Sequence, residues 1–160
     1  MKYASKILWF FLRAILLLYI PLSSYGSDIP RWDEQALAQW IEKYPTSVIN
    51  GKKRSILGET NIKKILQKTV PASELKELNK YDVETPIKQV DHYLVINKCM
   101  SHNCSAELAM VVIDLKSQRL WTGFFTREED RISTRWYGNK DDYAALPDEI
   151  KKVFLERHGD

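Results

Sequence analysis

Cysteine is scarce in this 160-residue chain: Cys99 and Cys104 are the only two, and histidine occurs three times, at His92, His102 and His158. That scarcity narrows the chemistry. A structural zinc site takes four ligands, and beyond Cys99, His102 and Cys104 no second Cys or His pair exists to complete one; His92 and His158 are isolated. Thioredoxin-like redox work uses Cys-x-x-Cys, whereas four residues separate the cysteines here. His102 lies two residues from Cys104, but the sequence offers no third group to orient a thiol and its base. No cysteine follows the apolar N-terminal run, so a bacterial lipid anchor has no attachment point. Internal repeats and low-complexity tracts are also missing. No metal and no cofactor is expected.

An excess of one charge is missing too, once the N-terminus is set apart. Residues 1–26 read MKYASKILWFFLRAILLLYIPLSSYG, with Lys2 and Lys6 first, an apolar run from Ile7 to Leu22 interrupted by Arg13, and then small and polar residues. This is the layout of a secretory signal peptide, with Ser24-Tyr25-Gly26 as its cleavage site. The uninterrupted stretch from Ala14 to Ile20 is shorter than the ~20 residues that span a bilayer. An uncleaved N-terminal anchor is the alternative, and the only route to a membrane. The chain has 24 Lys+Arg and 21 Asp+Glu, but three of the bases and none of the acids fall in this leader. The remaining part, residues 27–160, is therefore neutral. Nucleic-acid binders carry a basic excess on the folded domain, so that class is set aside. The one basic cluster, Gly51-Lys52-Lys53-Arg54, reads as a solvated loop.

What is present suits a single α+β domain. Thr85 to Val90 and Tyr93 to Asn97 are runs of β-formers separated by Asp91-His92 at a turn. Ala106 to Asp114, Arg119 to Thr126 and Arg131 to Tyr137 follow, joined by turns at Leu115–Gln118 and Arg127–Asp130. Five strands at this spacing predict an antiparallel meander. Helices are predicted for Trp32 to Tyr44, with Asp33 as cap and Leu37, Trp40, Ile41 and Tyr44 on one stripe, and for Asn61 to Thr69. A third short helix begins at a Ser73 cap, and a fourth runs from Pro147 to Arg157 with Ile150, Val153 and Phe154 on one face. These stripes are expected to pack on one face of the sheet. Glu128-Glu129-Asp130 is a solvated turn rather than a pair of catalytic acids. Asn103-Cys104-Ser105 has the form of a glycosylation acceptor, but its middle position is a cysteine expected to be in a disulfide.

Export changes the reading of the cysteines. In an oxidising compartment two cysteines of one chain usually pair, so a disulfide is expected between Cys99 and Cys104, with thiol chemistry as the alternative. A ring this small stabilises the fold by ~2–3 kcal/mol or less. Its larger effect is local, because it fixes the tip between the cysteines and lowers the entropy that a contact there must overcome. The loop Cys99-Met100-Ser101-His102-Asn103-Cys104 then protrudes between the second and third strands.

The succession of strand, Cys-x-x-His-x-Cys loop, strand, turn, strand with Gly123-Phe124-Phe125, and Trp136-Tyr137-Gly138 resembles the inhibitor of vertebrate lysozyme (Ivy) family. The resemblance runs over about residues 71–155, including Thr85-Pro86 to Val95, with the helical region 31–70 less closely matched. The family's loop is written C-K-P-H-D-C. The resemblance implies that Cys99 and Cys104 form its disulfide and that His102 is the histidine that enters the active-site cleft of c-type lysozymes. It also implies a bacterial protein exported to the periplasm. Met100 stands where the family has lysine, Ser101 where it has proline and Asn103 where it has aspartate, which removes a fixed φ and two charges.

A retaining glycosidase holds two carboxyl groups ~5–5.5 Å apart across its cleft. An imidazole carries two ring nitrogens pointing apart, and when protonated it donates from both. A histidine on a rigid tip can therefore bridge such a pair. The expected function is inhibition of lysozyme through the loop residues Met100, Ser101, His102 and Asn103, with c-type lysozyme or another peptidoglycan hydrolase as protein partner. The alternatives are an immunity or control protein for a bacterial wall hydrolase, and an envelope binding module without inhibitory activity. A homodimer is compatible with the sequence. No convergent pair of catalytic groups can be assembled, so an enzyme is not expected.

Overall fold

The structure is a computed structural model that describes residues 31–129, 131–138 and 146–158, with side chains described no further than Leu155 in the last segment. The expected signal peptide, the turn residue Asp130 and the side chain of His158 lie outside the described residues.

The expected meander is present. Strands β5 (Tyr93–Cys99), β6 (Glu107–Asp114), β7 (Arg119–Glu128) and β8 (Arg131–Gly138) pair antiparallel in sequence order. The strand expected over Thr85–Val90 is divided into β3 (Val83–Glu84) and β4 (Lys88–Val90), both lying along the same edge of β5 and completing a six-stranded sheet. The break falls at Thr85-Pro86-Ile87. Pro86 has no N–H to give a ladder, and Ile87 turns to the N-terminal segment instead, donating to Lys43 O at 2.8 Å and accepting from Glu42 N at 2.9 Å. Its buried side chain fixes that crossing.

Side chains alternate cleanly across the sheet, as a pleat requires. Leu94, Ile96, Val111, Ile113, Leu120 and Phe124 face a core shared with helix α2 (Thr60–Thr69) and helix α3 (Ala72–Lys80). Tyr93, Val95, Met110, Val112, Trp121 and Phe125 face the other way, into a core shared with helix α4 (Asp148–His158) through Ile150 and Phe154. The expectation that the helices share one face therefore holds for α2 and α3 but not for α4. The reason is visible in the strands: Leu108–Asp114 is buried throughout, so both faces need cover. Trp136 lies across Gly123, where a Cβ would come within 2.6 Å of three ring carbons, and packs edge-on against Phe154 at 5.0 Å.

The N-terminal region departs most from expectation. Helix α1 is only Glu34–Ala38, capped as expected by Asp33, which accepts from Gln35 N at 2.9 Å. The chain then leaves the helix, and Glu42 takes a positive φ of 63°. Trp40 is still fully buried, so one stripe residue serves the core from a turn, while Tyr44 is 52% exposed. Gly51–Arg54 is not a loop. Strands β1 (Thr46–Ile49) and β2 (Lys52–Ser55) form a hairpin across Asn50-Gly51, whose φ values of 50° and 74° are those of a tight primed turn. Helix α3 begins after Pro71, so Ser73 lies inside the first turn rather than at the cap.

Candidate functional site

β5 delivers Cys99 to one end of the sheet and β6 returns from Glu107, leaving seven residues to form the connection. Cys99 and Cys104 are disulfide-bonded, with their Cα atoms 4.9 Å apart. Cys99 is buried, and Cys104 is exposed. The ring is therefore anchored in the sheet on one side and open to solvent on the other.

Within it the backbone makes two successive turns. Met100 N donates to Glu107 O at 3.2 Å, closing the base of the loop. Asn103 N donates to Met100 O at 3.0 Å, a turn with Ser101 and His102 at its centre. Asn103 O then accepts from both Ala106 N at 2.9 Å and Glu107 N at 2.8 Å. His102 occupies the left-handed region at φ 63°, where histidine is among the few non-glycine residues found at all often. Its side chain is exposed at the apex of the turn.

The other three loop positions look inward. Met100 is half-buried and packs on the core beneath α2 and α3. Ser101 N donates to Asp82 Oδ1 at 2.9 Å. Asn103 Nδ2 donates to Glu107 Oε1 at 2.9 Å. Asp82 and Glu107 were not legible as site residues in the sequence. Asp82 lies in the connection between α3 and β3, and only the pairing of Val83 with Cys99 brings it beside the loop.

The supports of this end are polar and well tied. Arg135 on β8 donates from Nε to Glu74 Oε1 at 2.9 Å and from Nη2 to Glu74 Oε2 at 3.3 Å, a two-pronged pair joining the sheet edge to α3. Tyr81, next to Asp82, is 1% exposed and donates its hydroxyl to Glu77 Oε1 at 2.8 Å. Burial first, and then that hydrogen bond to Glu77, push the Tyr81 phenol well above its ordinary range. The phenol therefore stays a donor, and the backbone that carries Asp82 is fixed at both ends.

His92 is not part of this site. It lies at the opposite end of the sheet, where its Nδ1 meets Asp91 Oδ2 at 2.5 Å and its Nε2 is 3.7 Å from Asp114 Oδ1. The hydrogen bond from His92 holds the exposed Asp91 carboxyl below its usual range. Lys52 and Lys53 are exposed on β2, and Arg54 is paired with Glu59 at 2.6 Å.

Comparison with curated proteins gives no match, and comparison with solved structures gives none either. A family model described as "Inhibitor of vertebrate lysozyme (Ivy)" matches residues 61–159. That span takes in the expected core of the resemblance, adds helix α2 from its second residue, and contains the disulfide loop with all six strands of the large sheet. The match covers more than half of the chain, and this chain belongs to the Ivy family of lysozyme inhibitors.

Proposed function

We propose that this protein inhibits lysozyme in the periplasm by inserting His102 into the active-site cleft of a c-type enzyme. The observation that carries the reading is the display of His102: an exposed imidazole at the left-handed apex of a disulfide-closed turn, with its neighbours on both sides bonded back to the protein. Such a tip enters a cleft with little conformational freedom left to lose. Its two ring nitrogens suit a pair of carboxyl groups ~5–5.5 Å apart, and an imidazole offers no glycosidic bond to cut. Membership of the family supports lysozyme as the target class.

Titration calorimetry of the mature protein against c-type lysozyme tests this. His102→Ala should weaken binding by ~2 kcal/mol or more, as expected for a central hot spot, and His102→Asn, a residue that tolerates the left-handed backbone, should do the same with the urea midpoint little changed. Equal binding by wild type and variant would refute the insertion. The second reading, control of a bacterial peptidoglycan hydrolase, draws on the neutral loop: Met100 and Asn103 bring no charge to a partner's rim. Binding to such a hydrolase with none to c-type lysozyme would favour it.

A further inference from the structure

We propose that Asp82 is a positioning residue for the inhibitory loop, a tether that does the work of a proline at position 101. Val83 pairs with Cys99 and Glu84 with Lys98, so in an antiparallel register the next residue back, Asp82, stands opposite Met100. From there its carboxylate reaches one residue further, and Oδ1 accepts the Ser101 N–H at 2.9 Å. Ser101 is the residue directly before His102 in the turn. The Met100–Glu107 hydrogen bond and the disulfide hold the base of the loop; the Asp82 contact holds its apex from outside.

The chemistry links this contact to the residue type at 101. A proline there has its φ fixed and no N–H to donate, so it stiffens the turn without a partner. Serine leaves φ free and supplies the donor, and an ionised carboxylate is a strong acceptor for it. The acceptor itself is well placed, since Tyr81 on one side is buried and hydrogen-bonded to Glu77 and Val83 on the other is in the sheet. The two solutions are alternatives for one task. Position 82 should therefore matter with serine at 101 and cease to matter with proline there.

A double-mutant cycle read by affinity for c-type lysozyme tests this, resting in that arm on the inhibitor reading. Asp82→Ala should weaken binding about tenfold (~1.4 kcal/mol), and Asp82→Asn, which keeps an acceptor oxygen, should recover part of it. In a Ser101→Pro background Asp82→Ala should change affinity by less than about twofold, a non-additivity expected for groups that share one contact. A second arm needs no partner: the solvent-exchange rate of the Ser101 amide, followed by NMR, should rise about tenfold in Asp82→Ala, with the amides of Ile96 and Val111 unaffected. Additive affinity changes, or an unchanged Ser101 exchange rate, would overturn the proposal. Absence of lysozyme binding by the wild type would defeat the inhibitor reading instead, and the exchange arm would still decide the role of Asp82.

Discussion

Reduction of the Cys99–Cys104 bond separates two things the disulfide can do, hold the fold and hold the loop. The cysteines are five positions apart, and closing so short a ring in the unfolded chain removes entropy equivalent to ~2 kcal/mol. The sheet does not depend on it, since β5 and β6 remain paired over seven positions from Tyr93–Asp114 to Cys99–Leu108. With a urea dependence of roughly 1–3 kcal/mol per molar for a small protein, the midpoint should fall by about 1 M. The loop should suffer more. If two of its backbone positions regain freedom at ~1–2 kcal/mol each, docking becomes ~2–4 kcal/mol less favourable, which is about thirtyfold or more in affinity. Oxidised and reduced samples, and a Cys99→Ala/Cys104→Ala variant, should be compared in urea unfolding and in a lysozyme turbidity assay. The expected result is a folded protein that inhibits poorly. Undiminished inhibition on reduction would refute the framing role, and a stability loss well above ~4 kcal/mol would show that the bond staples the sheet.

Phe154→Ala should cost ~3–5 kcal/mol in chemical unfolding, because the ring is 4% exposed and packs edge-on against Trp136; a loss below ~1 kcal/mol would contradict the packing of α4 on the second face. Tyr81 has its folded-state pKa raised, so its contribution is complete below about pH 10 and is lost as pH rises further, while the unfolded chain releases the proton first. Stability measured from pH 8 to 11 should therefore fall less steeply in Tyr81→Phe than in wild type. Asn103→Asp, which introduces the family's residue, would set a carboxylate against Glu107 where an amide now donates at 2.9 Å; binding should weaken by ~1 kcal/mol or more, and Glu107→Gln should restore it.

The parts of the fold that were legible in the sequence are those set by periodicity and by turn chemistry. The β5–β8 meander follows from β-forming runs between polar turns, and the caps at Asp33 and the proline before α4 mark helix starts. The face of α4 was not legible, because the strands β6 and β7 are apolar at successive positions and such a run does not say which helix covers which side. Trp32–Tyr44 reads as one long helix by its apolar spacing, yet the helix ends at Ala38, and Glu42 and Lys43 pair with Ile87 instead. That is a tertiary contact with no local signature. Asn50-Gly51 is itself a hairpin signature, and the lysines that follow it are as exposed on β2 as they would be in a solvated loop. At the site, the presence of just two cysteines and an expected export point to the disulfide, and the resemblance points to His102. Asp82 and Glu107 come to the loop only through strand register and through the turn that brings residue 103 back to residue 107.

The structure also changes what the three departures from C-K-P-H-D-C mean. Read along the chain, Met100, Ser101 and Asn103 are three of the four residues between the cysteines, and their substitution suggests a loop with most of its contact surface replaced. In the folded protein all three are engaged with their own chain: Met100 with the core, Ser101 with Asp82, and Asn103 with Glu107. Each of these positions thus has a partner within the chain: a thioether on the core, a backbone N–H that proline would lack, and an amide facing a carboxylate. The residue left exposed at the apex is His102, the one that the resemblance pairs with the histidine of the family's loop. The three departures therefore bear first on how the tip is braced by its own chain.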